Sequence, residues 1–283
     1  MNDLSREERW QSERNFFDSN AAVTSRKLAP TDPLAVARYG ASRPRRRFNK
    51  EFRFRVLADL RGKKVLDVGC GEGSNSILLT KLGAAVTGID ISAESIKVAE
   101  KRAQLDGVHS TIHFLCAPVE IADLAPQSFD MIWGDAILHH LIAELDMVMS
   151  RLVSWAKPGA LMLFAEPVNL NHTLRRVRFM VPVKTDATPD ERPLEVQEIK
   201  IIRRHLHDVK IRHFALLGRL DRFILPNHNY ERSALPRRAL SNAIASVDYC
   251  LLSLPWVKNL GGTAVIYGHT QRSPGPPSGG SPQ

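Results

Sequence analysis

Cysteine is scarce in this sequence of 283 residues. Only Cys70, Cys116 and Cys250 occur, far apart and without the close spacing of metal-binding cysteines. Three such residues support neither a disulfide framework nor a zinc ribbon. This usage is typical of a reducing compartment, and we expect a cytoplasmic protein.

Long apolar runs are also missing. No uninterrupted stretch approaches the roughly 18 residues that a membrane-spanning helix needs, so we expect no transmembrane segment. The N-terminal stretch is charged throughout and lacks the apolar core and cleavage site of a signal peptide. With 43% hydrophobic and 24% charged residues, the chain has the composition of an ordinary globular protein.

Acidic residues are fewer than basic ones, which gives a net charge of +9. The imbalance is concentrated between Arg38 and Arg55, where eight basic residues stand against the single acid Glu51. A solvated basic face explains this stretch, and so does a site for an anionic small substrate or for nucleic acid. Residues 273–283 contain only proline, glycine, serine and glutamine, which predicts a disordered tail.

Strand-like apolar runs alternate with helical patterns through the chain. The runs are 64–68, 85–89, 111–116, 129–133, 160–165, 209–217 and 262–270. The alternation predicts an α/β fold, with a seven-stranded, doubly wound sheet that helices cover on both faces. We assign residues 60–272 to this domain, with a helical insertion of about 218–260 before the last strand. Residues 1–59 form an N-terminal helical lid and basic segment.

Three glycines follow the first strand directly in KKVLDVGCGEGSNSILLTKLGAAVTGIDIS, from Lys63 to Ser92. Glycine favours neither strand nor helix, so Gly69 and Gly71 predict a tight turn where a ligand lies against bare backbone at a helix N-terminus. Asp90 ends the second strand 23 residues after Asp67. A carboxylate there can accept hydrogen bonds from both hydroxyls of a ribose. The pattern predicts a nucleoside site beyond the carboxyl ends of the strands.

This glycine-rich stretch resembles the first two motifs of class I S-adenosylmethionine (SAM)-dependent methyltransferases. FDMIWGDAILHHL and AKPGALMLFAEP are similar to that family's fourth-strand and fifth-strand motifs, so the resemblance covers about residues 60 to 167. It implies a Rossmann-like fold and SAM as the cofactor. It also implies contacts of Asp67, Gly69 and Gly71 with the methionine part of SAM, of Asp90 with the ribose and of Ile91 with the adenine.

The adenine end departs from the family's pattern. Many relatives hold the adenine amino group with an Asp after the third strand, but Pro118 stands at or near that place. The Val119 backbone amide and Glu120 are the candidate replacements, unless the adenine is held mainly by packing. Asp135, in the fourth-strand motif, completes the expected cofactor-binding set.

His139 and His140 follow the fourth strand, at the edge where the methyl group would be presented. A histidine can remove a proton from a hydroxyl or amine as methyl transfer proceeds. Because adjacent side chains diverge, we expect at most one of them to act chemically, and packing alone is the alternative. Glu166, which ends the fifth strand, is a candidate base or a structural group. We expect no metal site, because a metal would need further ligands.

Two arginine-rich pieces flank the predicted active edge. Arg45 and Arg46 belong to the N-terminal segment, and His172, Arg175 and Arg176 follow the fifth strand. Guanidinium groups bind carboxylates and phosphates through paired hydrogen bonds. We therefore take these five residues as the candidate substrate-binding set and expect an anionic acceptor. The alternative is a basic outer face that never meets substrate.

The preferred hypothesis is a methyltransferase that acts on an oxygen, nitrogen or carbon atom of a small metabolite. An RNA (tRNA or rRNA) methyltransferase is the alternative. The basic balance suits it, but no RNA-binding module and no NPPY-type motif accompany the core. A non-catalytic SAM-binding protein is the second alternative. The insertion carries an apolar helical stripe at Leu240, Ile244, Val247 and Leu251, which would suit a homodimer or a membrane surface.

Overall fold

The computed structural model describes residues 5–41, 47–171, 191–225 and 230–272. The tail 273–283, for which the sequence predicts disorder, lies outside these ranges. Within the described part of the chain, no helix is both long and apolar enough to cross a membrane.

Three helices precede the sheet: α1 (Arg6–Ser25), α2 (Pro33–Tyr39) and α3 (Asn49–Leu57). α1 begins at a reciprocal cap, because the Ser5 hydroxyl accepts the Glu8 amide and the Glu8 carboxylate accepts the Ser5 amide. α2 begins with Pro33 directly after Asp32, whose side chain caps the helix. The N-terminal helical segment predicted from the sequence is therefore present.

Seven strands form one sheet. They are β1 (Lys64–Val68), β2 (Ala85–Asp90), β3 (Ile112–Cys116), β4 (Phe129–Asp135), β5 (Ala156–Pro167), β6 (His207–Phe214) and β7 (Thr263–His269). Their order is β3-β2-β1-β4-β5-β7-β6, with β7 antiparallel to both of its neighbours and the other pairs parallel. The predicted seven-stranded α/β sheet is confirmed.

Helices cover both faces of this sheet. In the described ranges the connecting helices are α4 (Ser74–Lys81), α5 (Ala93–Leu105), α6 (Leu145–Trp155) and α7 (Val196–His205). The segment between β6 and β7 contains α8 (Asp221–Ile224) and α9 (Leu235–Leu251), which agrees with the predicted helical insertion.

The core has two layers because successive strand residues point to opposite faces of the sheet. Leu66 and Ile132 belong to an apolar cluster that includes α6 and α7. Val65 and Trp133, their immediate neighbours, belong to the second cluster with α4 and with Phe54 of α3. The Phe54 and Trp133 rings lie 5.4 Å apart, which attaches the N-terminal segment to the sheet.

The strand order fixes the place of the site. β1 pairs with β2 on one side and with β4 on the other, so the direction of winding reverses between β1 and β4. In doubly wound sheets a crevice opens at this point, beyond the carboxyl ends of the strands. The glycine turn after β1 and the histidine pair after β4 therefore face the same crevice.

Candidate active site

The glycine turn has the left-handed backbone that the sequence predicts, with φ of +65° at Gly69 and +51° at Gly71. A Cβ added to Gly69 would lie 2.5 Å from the Ile137 side chain. A Cβ added to Gly71 would meet no atom within 4 Å, so this side of the turn is open. A ligand can therefore approach the backbone at Gly71.

Asp90 is held at the end of β2 by two backbone amides. Gly71 N–H donates to Oδ2 at 2.8 Å, and Ser92 N–H donates to Oδ1 at 2.9 Å. Burial raises the pKa of Asp90, although both hydrogen bonds oppose that rise. Each oxygen keeps a further lone pair with which it can accept a hydroxyl.

A cavity of about 560 Å³ opens at this edge of the sheet. Its described lining consists of Glu13, Phe16, Phe17, Gly69, Gly71, Ile89, Asp90, Ile91, Ala117, Pro118, Val119, Glu120, Asp135, Ala136, Ile137, His139, His140, Leu141 and Glu191. Five of these residues are acids, and none of the described lining residues is a lysine or an arginine. Such a lining suits a cationic guest better than an anionic one.

Ile91, Val119 and Glu120, for which contacts with the adenine are predicted, all line the cavity. Glu120 Oε1 accepts a hydrogen bond from Trp10 Nε1 of α1 at 3.1 Å. One candidate replacement for the missing Asp is thus already paired with the N-terminal helix.

Asp67 lies in β1, just before the glycine turn, and is not among the residues that line the cavity. The residue is only 1% exposed, and the Ser76 hydroxyl of α4 donates to its Oδ2 at 2.5 Å. Burial raises the pKa of Asp67 to about 7. The hydrogen bond between Ser76 and Asp67 joins α4 to β1 on either side of the glycine turn. The predicted contact of Asp67 with the methionine part of SAM stays a prediction.

Asp135, at the end of β4, lies against α3 and α4. Arg53 Nη1 is 2.7 Å from its Oδ2, and Asn75 Nδ2 donates to the same oxygen at 2.8 Å. The Arg53 guanidinium also lies over the Trp133 ring, 5.0 Å from its centroid. Burial alone would raise the pKa of Asp135, but Arg53 and Asn75 lower it below its ordinary value.

Glu166, 1% exposed at the end of β5, organises the loop after β4. Its Oε1 accepts the backbone amides of Ile137 and Leu138 at 3.0 and 2.9 Å. Its Oε2 lies 2.8 Å from His139 Nδ1. Since Glu166 does not line the cavity, this geometry favours a positioning role over that of a base.

The two histidine rings do not diverge as we expected from the sequence. Their centroids lie 4.2 Å apart, because the chain forms a 3₁₀ turn over Leu138–His140. His139 Nε2 lies 3.0 Å from Glu191 Oε1, and His140 Nε2 lies 4.0 Å from the same oxygen. Burial would lower the pKa of His139, but the neighbouring carboxylates of Glu166 and Glu191 raise it above the ordinary value.

Four lining residues with acidic or aromatic side chains were not found from the sequence. Glu13, Phe16 and Phe17 come from α1, where a spacing of three and four residues puts them on one helix face. That spacing could have revealed the three. Glu191 lies 25 positions after Glu166 and belongs to no motif, so the sequence around it carries no such signal.

All five candidate substrate-binding residues fall outside the described ranges. They are Arg45, Arg46, His172, Arg175 and Arg176. Their roles, and an anionic acceptor, stay predictions.

The fold and the site together define a Rossmann-like protein with a nucleoside crevice at the switch point of the sheet. The model of a family described as "Methyltransferase domain" matches residues 59–203, just over half of the chain. The chain belongs to this family, and the predicted class I SAM-dependent methyltransferase is confirmed.

Curated relatives match part of the chain. Over 112 residues the chain is 38% identical to the ubiquinone biosynthesis O-methyltransferase of Coxiella burnetii, a match that covers 40% of this chain and 46% of the relative. It is 36% identical over 111 residues to the mitochondrial enzyme of that name from Schizosaccharomyces pombe, with 39% and 40% covered. The chain therefore spans less than half the length of these relatives.

Solved structures resemble this one at low identity. The [4+2]-cyclase SpnF has a TM-score of 0.57 at 18% identity, with 93% of this chain and 97% of that chain covered. A putative sarcosine dimethylglycine methyltransferase from Galdieria sulphuraria has a TM-score of 0.53 at 14% identity, with 78% and 83% covered. Such likeness shows the fold alone, and the two names illustrate that one fold serves different reactions.

Proposed function

We propose that the protein transfers the methyl group of SAM to a hydroxyl oxygen of a small molecule. The observation that carries this proposal is the cavity at the switch point, where the open glycine turn and Asp90 face the His139–His140 pair. The names of the curated relatives support oxygen as the acceptor atom, and Phe16 and Phe17 in the lining suit an aromatic acceptor.

In this proposal the nucleoside of SAM lies along the ends of β1, β2 and β3. Asp90 accepts the ribose hydroxyls, Ile91 packs on the adenine, and the Val119 amide with Glu120 contacts its edge. Gly69 and Gly71 lie beside the methionine part, and Asp135 beside its ammonium group. The acids of the lining suit this cationic cofactor.

The reaction is a direct displacement. An acceptor oxygen forms a bond to the methyl carbon while the carbon–sulfur bond breaks, and sulfur leaves as a neutral thioether with the bonding electron pair. The hydroxyl proton must also leave, and we assign its removal to the histidine pair, His140 before His139. His140 comes first because it lines the cavity, whereas both ring nitrogens of His139 already lie within hydrogen-bond distance of the Glu166 and Glu191 carboxylates.

Methyl-labelled SAM, with a panel of small phenols and catechols, tests the proposal. We expect label on a hydroxyl oxygen, and His140→Ala should slow transfer by about 10²–10⁴-fold while SAM affinity is retained. His205→Ala is the control, because His205 pairs with Asp146 outside the cavity. Label on RNA alone would support the alternative enzyme class. SAM binding with no turnover on any class of acceptor would support the non-catalytic alternative.

Two further expectations belong to this proposal. We place the protein in the cytoplasm, which the free state of Cys70, Cys116 and Cys250 supports. A homodimer through the insertion stays a prediction, and the exposed Leu235, Leu240 and Val247 of α9 support it.

A further inference from the structure

Three side chains with metal-ligand atoms converge in the cavity wall. The ligand atoms of His139, His140 and Glu191 all lie within 4.8 Å of one another. Two ligands at about 2.1 Å from a tetrahedral ion are about 3.4 Å apart. The distances from Glu191 Oε1 to the two Nε2 atoms, 3.0 and 4.0 Å, bracket this value. Small side-chain adjustments would therefore place all three on one ion.

Glu166 prepares His139 for such a role. Its Oε2 lies 2.8 Å from His139 Nδ1 and so holds a proton on that nitrogen, which directs Nε2 toward Glu191 and His140. A carboxylate behind a histidine is the usual support of a metal-ligating imidazole, because it fixes both the ring and its tautomer. The amides of Ile137 and Leu138 hold Glu166 in turn.

His140 supplies an independent observation. Its side chain is only 8% exposed, and its Nδ1 is a buried nitrogen without a hydrogen-bond partner. A buried polar atom without a partner is unfavourable, so the surroundings of His140 are incomplete as they stand. Glu13 Oε1 lies 3.6 Å from this nitrogen, beyond ordinary hydrogen-bond length. An ion on His140 Nε2 would leave the ring proton on Nδ1, where Glu13 could accept it after a small side-chain adjustment.

We propose that His139, His140 and Glu191 bind one divalent transition-metal ion of the zinc type. Two imidazoles and one carboxylate suit zinc and related ions, whereas magnesium and calcium prefer sites made of oxygen ligands. Three protein ligands leave a coordination position open to the cavity.

The role of the ion rests on the proposed methyl transfer. An acceptor hydroxyl in the open position would lose its proton to solvent water more readily, because the cation stabilises the oxygen anion. The oxygen then takes the methyl group, and the thioether leaves with the electron pair of the broken carbon–sulfur bond. With the ion bound, both imidazoles would be metal ligands, and solvent water would accept the proton in place of an imidazole. The proposed site also departs from the sequence expectation of no metal. That expectation depended on the lack of a third ligand, because Glu191 is far from the two histidines in the sequence.

Titration of the metal-free full chain with Zn²⁺, with any purification tag removed, tests the binding site directly. We expect one ion per chain by calorimetry and elemental analysis, and little binding of Mg²⁺. His140→Ala and Glu191→Gln should each weaken Zn²⁺ binding at least tenfold, whereas the control His205→Ala should bind as the wild type does. Co²⁺ should give the strong visible absorption of a tetrahedral site in the wild type and in His205→Ala, and should not give it in His140→Ala or Glu191→Gln.

The outcomes separate this inference from the proposed function. Equal Zn²⁺ binding by wild type, His140→Ala and Glu191→Gln, or no tight binding at all, would overturn the metal site. Tight, variant-sensitive Zn²⁺ binding in a protein that methylates nothing would uphold the metal site and remove the proposed function. Methyl transfer that survives complete metal removal at an unchanged rate would overturn the role of the ion in catalysis.

Discussion

The two halves of the crevice are built in different ways. On the cofactor half, backbone amides of Gly71 and Ser92 hold Asp90, and all three residues belong to one continuous stretch. On the acceptor half, Glu166 at the end of β5 and Glu191, far beyond it, hold His139 between them. Backbone amides stay in place when a neighbouring side chain is replaced. Contacts between side chains, such as those of Glu166, His139 and Glu191, are lost when one of the residues is replaced. The acceptor half is therefore the part that substitution can change.

The largest expected loss of stability follows a substitution on the acceptor half. Glu166→Ala leaves two backbone amides and His139 without their buried acceptor, so the free energy of unfolding should fall by about 3–5 kcal/mol. Urea unfolding followed by circular dichroism measures this. Glu94→Ala is the control, because its pair with Lys97 is exposed and its loss should change stability by less than about 0.5 kcal/mol. A loss of unfolding free energy as small as that of Glu94→Ala would show that the hydrogen bonds of Glu166 do not stabilise the fold.

The same contrast explains how much the sequence revealed. The strands, the glycine turn and Asp90 were predictable, since hydrophobic period and turn chemistry are local and the cofactor motif is contiguous. Glu191 was not, because only the folded chain brings it to His139. The approach of the two histidine rings was also missed, since it depends on the 3₁₀ turn that Glu166 stabilises through the amides of Ile137 and Leu138.

The second prediction concerns Asp67, the buried carboxylate of β1 next to the glycine turn. Its pKa of about 7 lies above the ordinary value of 3.8, so the folded protein holds this proton more tightly than the unfolded chain does. The contribution of Asp67 to the stability of the wild type should therefore fall as pH rises from about 4 to about 7. Asp67→Asn lacks this titration, and its stability relative to the wild type should rise over the same window by on the order of 3 kcal/mol.

Urea unfolding of the cofactor-free proteins at several pH values measures that change. Asp59→Asn is the control of opposite sign, because a hydrogen bond from the Arg61 side chain lowers the pKa of the exposed Asp59 to about 2. Its variant should lose a little stability above pH 4. A pH-independent difference between wild type and Asp67→Asn would show that Asp67 stays charged in its buried place.

The third prediction measures the ribose contact. Asp90→Ala should weaken SAM binding by roughly 1.5–3 kcal/mol, because charge-assisted hydrogen bonds to two hydroxyls are lost. Calorimetry gives the affinity. Asp90→Asn keeps an oxygen for the Gly71 amide, so comparison of the two variants separates the turn from the ligand contact. Unchanged affinity in a folded Asp90→Ala protein would place the nucleoside elsewhere.

The smallest expected loss of stability follows the replacement of Gly69 or Gly71, the two glycines of one turn, by alanine. Both have positive φ, so an alanine at either position should cost about 1–2 kcal/mol of stability. At Gly69 the new methyl also meets Ile137 at 2.5 Å, whereas at Gly71, which lines the cavity, it meets no atom within 4 Å. Gly69→Ala should therefore lose more stability, and Gly71→Ala should lose more SAM affinity relative to its stability. Adding Ile137→Ala should restore part of the stability of Gly69→Ala and none of Gly71→Ala. If the two glycine variants lost stability and affinity in equal proportion, the turn would act as one rigid unit, and the open side at Gly71 would have no part in cofactor binding.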